Sequence, residues 1–192
     1  MRICVFCGSN TGRGEIYMQA AFELGELIAE RGYGVVYGGA RDGTMGAVAN
    51  GAMAKGGEAI GVLPRQLFEL EQAHPSLTKL HVVDSMHERK QIMHDLSDAF
   101  ICMPGGIGTM EETFEVWTWT QLGVHRKPLA FYNVNGFYDA LERFFDVMVE
   151  EGFVRSVHRQ MALTGDEPNA LIEGLMSYEP PQVKKWLTPD ER

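Results

Sequence analysis

The sequence predicts a single α/β domain built on a parallel sheet with helices on both faces. Three observations carry the prediction. Short β-rich runs alternate with helical stretches along the chain. The runs are apolar at nearly every position rather than at every second one, as strands covered on both faces must be. Glycine-rich segments at Gly8–Gly14, Gly38–Gly46 and Gly105–Gly108 each join a strand to a helix, at the strand ends where such sheets bind ligands.

The elements follow in order. Arg2–Cys7 is the first strand, and the turn Gly8–Gly14 follows it. Ile16–Glu30 has helical apolar spacing at Ala20, Leu24, Leu27 and Ile28 and stops at Gly32. Gly34–Tyr37 is a strand, and the Ala-rich helix Thr44–Lys55 is stopped by Gly56 and Gly57. Glu58–Leu63 is a strand closed by Pro64, and Arg65–Thr78 is a looser segment. Leu80–Val83 and Ala99–Met103 are strands flanking a helix at Met86–Leu96. A helix over Thr109–Leu122, a strand at Pro128–Tyr132 and a helix at Tyr138–Glu151 continue the alternation. A strand at Met161–Thr164 and a helix at Pro168–Met176 complete the domain, residues 1–178. The tail Glu179–Arg192 holds three prolines and reads as peripheral.

Composition narrows the function. Of 192 residues, 45% are apolar, which supports a packed core. The formal charge of -9 argues against a nucleic-acid or anionic-membrane surface, which needs a basic excess. No signal-peptide pattern and no apolar run of transmembrane length is visible, so the expected compartment is the cytosol. Cys4 and Cys7 form a C-x-x-C inside a strand, where residues three apart face opposite sides, so they read as core rather than redox residues. The six histidines are scattered without an H-E-x-x-H, and no metal site is expected.

The glycine-rich loops point to a phosphate-bearing ligand, because helix N-termini offer unpaired N–H groups and glycine lets an anion approach. Pro104-Gly105-Gly106-Ile107-Gly108-Thr109-Met110-Glu111-Glu112 is neither a Walker A loop nor a dinucleotide fingerprint. Thr109 and Glu112 have the spacing of a capping box, with Thr109 as N-cap and Glu112 at N3. That accounts for the pair but not for the two glycines after Pro104. In Ser85-Met86-His87-Glu88-Arg89-Lys90, two cations near a helix start oppose the macrodipole. A local rule broken this way belongs to a solvated turn or to a functional site.

Together these segments resemble the Lonely Guy (LOG) family of cytokinin riboside 5′-monophosphate phosphoribohydrolases, whose P-G-G-x-G-T-x-x-E signature is met by Pro104–Glu112. Met86–Lys90 meets its M-H-x-R-K companion, and Cys7-Gly8-Ser9, Gly38–Gly46 and Thr118–Gly123 extend the likeness over nearly the whole chain. In the loop Gly38–Gly46, Thr44 stands where family members often have Leu. The resemblance implies a Rossmann-like fold, a homodimer and hydrolysis of a purine nucleoside 5′-monophosphate to free base and ribose 5-phosphate. No metal or cofactor is expected, because neither a ligand cluster nor a pyridoxal lysine is visible and water is the only co-substrate needed. The resemblance assigns catalysis to Arg89 and Glu112, and substrate contacts to Glu71, Lys90, Gly105, Gly106, Gly108, Thr109 and Thr118.

The name lysine decarboxylase, often attached to such sequences, demands a pyridoxal-binding lysine with phosphate and ring partners. Lys55, Lys79, Lys90 and Lys127 offer no such arrangement in sequence. The alternative to an enzyme is a non-catalytic purine-nucleotide-binding module, which would need the glycine loops but not a carboxylate at the anomeric carbon. The helix Thr109–Leu122 carries Phe114, Val116, Trp117 and Trp119 on more than one face, which also suits a subunit contact.

Overall fold

The computed structural model describes residues 1–68 and 72–181. Seven parallel strands run in the order β4-β3-β2-β1-β5-β6-β7. They are β1 (Arg2–Phe6), β2 (Gly34–Tyr37), β3 (Ala59–Pro64), β4 (Lys79–Val83), β5 (Ala99–Cys102), β6 (Leu129–Tyr132) and β7 (Ala162–Gly165). The helices are α1 (Ile16–Glu30), α2 (Gly43–Ala54), α3 (Arg65–Phe68), α4 (Met86–Asp95), α5 (Ile107–Leu122), α6 (Asp139–Glu150), α7 (Ser156–Arg159) and α8 (Pro168–Met176).

Alternation along the central strands builds two cores. Ile3, Val5 and Cys7 pack with Ala99 and Ile101 under α1, α2 and α8. Cys4 and Phe6 pack with Phe100 and Cys102 against Met93 of α4, Val116 of α5 and Phe145 of α6. Cys4 and Cys7 thus lie on opposite faces of the sheet, free and buried. Burial pushes both thiols well up, which keeps them protonated.

Helices α1 and α2 meet backbone to backbone. A Cβ on Gly25 would lie 2.1 Å from the Val48 carbonyl oxygen, and one on Gly51 would lie 2.0 Å from that of Phe22. Only glycine permits this approach.

Three readings of the sequence change. The segment after β3 contains the short helix α3, and α7 forms before β7; four residues are too few to display a period. Helix α5 starts at Ile107 with Gly106 as its N-cap, so Thr109 and Glu112 lie inside the helix and form no capping box. The S-x-x-E spacing is used instead at α4. There the Ser85 side chain accepts from the Glu88 N–H at 3.1 Å, while Glu88 accepts from the Asp84 N–H at 2.9 Å.

The chain adds strands outward from β1 to β4, then returns to β1 and adds β5 to β7 on its other side. The topological switch point is therefore the gap between β1 and β5, where open α/β sheets bind ligands.

Candidate active site

A cleft of about 560 Å³ opens at this switch point. The loop after β1 forms one wall and Pro104–Thr109, after β5, forms another. The two loops touch, since a Cβ on Gly8 would lie 3.6 Å from the Gly105 Cα. The first loop is braced from α2, where the Thr44 hydroxyl donates to the Gly8 carbonyl at 3.0 Å and accepts from the Gly8 N–H at 2.9 Å. The residue that departs from the family pattern thus supports the cleft.

The glycines of the second loop have different reasons to be there. A Cβ on Gly105 would lie 2.2 Å from Thr109 Oγ1, so this glycine makes room for the buried threonine. Gly106 and Gly108 meet nothing within 4 Å. Both line the cleft, so a side chain there would compete with an occupant rather than with the protein. Gly106 caps α5 without a side-chain hydrogen bond, leaving the first turn of a 16-residue helix to face an anion with its N–H groups.

Arg89 and Glu112 meet in the cleft, both buried, with Nη1 and Oε1 3.7 Å apart. That is an ion pair at a distance too long for a hydrogen bond. The guanidinium is fixed from behind. Its Nε donates to the Val62 carbonyl at 3.1 Å and its Nη2 to the Gly38 carbonyl at 3.2 Å. A Cβ on Gly38 would fall 2.1 Å from Nη2, so glycine is required there for the arginine to seat.

The remaining predicted residues do not all converge. Gly105, Gly106, Gly108 and Thr109 line the cleft with Arg89 and Glu112. Lys90 does not line it. Its ammonium contacts Glu111 at 2.5 Å and Glu115 at 3.0 Å, tying α4 to α5. Burial pulls the Lys90 pKa down, but the two carboxylates outweigh that and the net shift is upward. Thr118 lines a separate cavity of about 260 Å³, among Phe114, Trp117, Phe145 and Met148. Glu71 lies outside the described residues.

Arg13, Tyr17, Met86 and Phe137 also line the cleft, and sequence reasoning gave them no site role. Tyr17 and Phe137 meet edge to face, with ring centroids 6.0 Å apart. They are 120 positions apart in the chain, and no local motif marks either one.

Among the described residues no lysine lines the cleft, and the Lys90 ammonium is held by Glu111 and Glu115. The residues present do not fit a pyridoxal group. No group of three or more His, Cys, Asp or Glu among the described residues could hold a metal. Among them no helix is long and apolar enough to cross a membrane.

A family described as possible lysine decarboxylase matches residues 45–175. The cytokinin riboside 5′-monophosphate phosphoribohydrolase LOG of Oryza sativa subsp. japonica is 44% identical over 179 residues, which cover 93% of this chain and 74% of that protein. A cytokinin riboside 5′-monophosphate phosphoribohydrolase of Arabidopsis thaliana is 42% identical over 179 residues, covering 93% and 82%. Among solved structures, a molybdenum cofactor binding protein from the phototrophic bacterium Rippkaea orientalis superposes with a TM-score of 0.70 at 23% identity, covering 92% of this chain and 95% of that one. That likeness concerns the fold. Identity at this level over nearly the whole chain, with the signature loop at the switch point, shows that the protein belongs to the LOG family of cytokinin riboside 5′-monophosphate phosphoribohydrolases.

Proposed function

We propose that the protein hydrolyses the N-glycosidic bond of purine nucleoside 5′-monophosphates, with adenine or an N6-substituted adenine as base, to free base and ribose 5-phosphate. The observation that carries this is the pair of Arg89 and Glu112, buried and 3.7 Å apart beside a glycine loop with room for an anion. The α5 N-terminus takes the 5′-phosphate, and the sugar extends toward Glu112. The C1′–N bond breaks with its electron pair going to the base, and the ribose develops oxocarbenium character. Glu112 stabilises that charge and accepts a proton from water as the water oxygen bonds to C1′. The proton then passes to the departing base, directly or through solvent. Arg89 keeps its proton throughout and acts by charge and position.

A homodimer is part of this proposal. Its support is the apolar surface around the second cavity, with Phe114, Val147 and Phe153 exposed nearby. A substrate role for Thr118, which lies on that surface, would then involve the cleft of a second subunit. Three free, buried cysteines suit a reducing, cytosolic compartment.

The test is a product assay with AMP, N6-substituted AMP and adenosine. Adenine release from AMP should exceed that from adenosine by about 100-fold or more in kcat/KM, because phosphate binding positions the sugar. Equal values for AMP and adenosine would overturn the phosphate anchor. No release from any monophosphate would leave a nucleotide-binding module.

A further inference from the structure

Four charged side chains line the cleft: Arg13, Arg89, Glu111 and Glu112. Arg89 faces Glu112, and Glu111 faces Lys90. Arg89 also gives two of its nitrogens to the Gly38 and Val62 carbonyls. Arg13 is exposed, and among the described residues no ion pair or hydrogen bond engages its side chain. A phosphate monoester brings close to two negative charges, whereas a helix N-terminus supplies the equivalent of only about half a positive one.

The position of Arg13 along the cleft fits the missing charge. Arg89 is bound at the ends of β2 and β3. Arg13 follows Gly12, against which Tyr17 packs so closely that a Cβ there would meet the ring at 2.8 Å. Tyr17 in turn meets Phe137, beyond the end of β6. The touching Gly8 and Gly105 loops, after β1 and β5, stand between these two ends. In strand order the α5 N-terminus, after β5, lies between the carbonyls of β2 and β3 that hold Arg89 and the Tyr17–Phe137 contact beyond β6.

We propose that Arg13 is the side-chain counter-charge of the substrate phosphate, a positioning residue that neutralises the phosphate from the end of the cleft away from Arg89 and Glu112. The proposal rests on the phosphoribohydrolase reading above. The guanidinium fork matches two phosphate oxygens. Its place on an exposed loop lets it engage after the nucleotide has entered.

The experiment compares the wild-type protein with Arg13→Gln and Arg13→Lys. It measures kcat and KM for AMP and adenosine, and the Kd of ribose 5-phosphate by calorimetry. Arg13→Gln should raise KM for AMP and Kd for ribose 5-phosphate by about 10-fold each, with kcat within about 2-fold and adenosine unaffected. Arg13→Lys, which keeps the charge but not the fork, should recover only part of the loss. Unchanged KM and Kd in Arg13→Gln would overturn the proposal, as would an equal loss with AMP and adenosine, which would mark a merely structural role. Failure of the wild-type protein to cleave AMP would count against the phosphoribohydrolase reading alone, since the ribose 5-phosphate titration still reads Arg13.

Discussion

At the scale of single residues, Glu112 offers the sharpest test. It lies in the interior of α5, and its carboxylate is not spent on a cap. Glu112→Gln keeps the shape and removes the charge and basicity. Turnover should fall by about 100-fold or more while the fold and nucleotide binding persist; kcat and thermal melting on one preparation measure both. Near-normal turnover would remove the mechanism proposed for this carboxylate. His125, remote from the cleft, governs a different property. Its Nε2 bonds the Val116 carbonyl at 3.0 Å, while its Nδ1 accepts from the Lys127 N–H at 3.1 Å. Protonation would destroy the acceptor. Burial first, then the neighbouring His94, lowers its pKa from near 6.5 to about 4. The unfolded chain therefore takes up a proton between those values that the folded protein refuses. The stabilisation is complete above pH 6.5 and is lost as the pH falls toward 4. Urea midpoints from pH 7 to pH 4.5 should decline less steeply in His125→Gln than in the wild-type protein. Parallel curves would exclude this histidine as a source of acid sensitivity.

At the scale of elements, the alternation that the sequence displays is the alternation of the fold, and α1, β2 and α8 have the bounds expected of them. Their signals are strong: long apolar periods, a β-branched run, and Pro168 opening a helix behind Glu167. The start of α5 was less legible, because glycine and isoleucine after Pro104 look like loop although the helix already begins at Ile107. Arg89 and Glu112 could be named from family motifs, but the carbonyls of Gly38 and Val62 that seat the arginine could not, since a backbone acceptor leaves no mark in composition. The Gly25 and Gly51 contacts between α1 and α2 were equally hidden, because glycine inside a helix reads as a weakness. In this pair it is a requirement. Gly51→Ala should destabilise the protein by about 2 kcal/mol or more despite improving helix propensity. An unchanged or raised urea midpoint would contradict the contact.

At the scale of the whole molecule, α1, α2 and α8 cover one face of the sheet with Ile16 and Phe22 exposed on α1, and the α5–α6 side keeps more exposed apolar residues in view. Phe153 is 85% exposed and Phe144 is 53% exposed. Exposure of this kind is what the dimer proposed above would cover. Light scattering at micromolar concentration should return twice the chain mass of 21.4 kDa, and Phe114→Glu should shift the population toward monomer. A wild-type monomer under those conditions would leave the apolar surface without its expected occupant. The sequence could suggest a dimer from the breadth of the apolar face of α5, but it could not show that Thr118 lies on that surface rather than in the cleft of its own chain.

The anchoring of Arg89 has a thermal consequence. A long side chain that is free in the empty protein must be ordered before the reaction can proceed, and that ordering adds a temperature-dependent cost. Here two carbonyls at the ends of β2 and β3 hold the guanidinium, so its ordering is completed when the chain folds. The rate of hydrolysis should therefore follow a straight Arrhenius line up to the onset of global melting. A break well below the melting temperature, with no change in near-ultraviolet dichroism, would show that the arginine loosens before the sheet does.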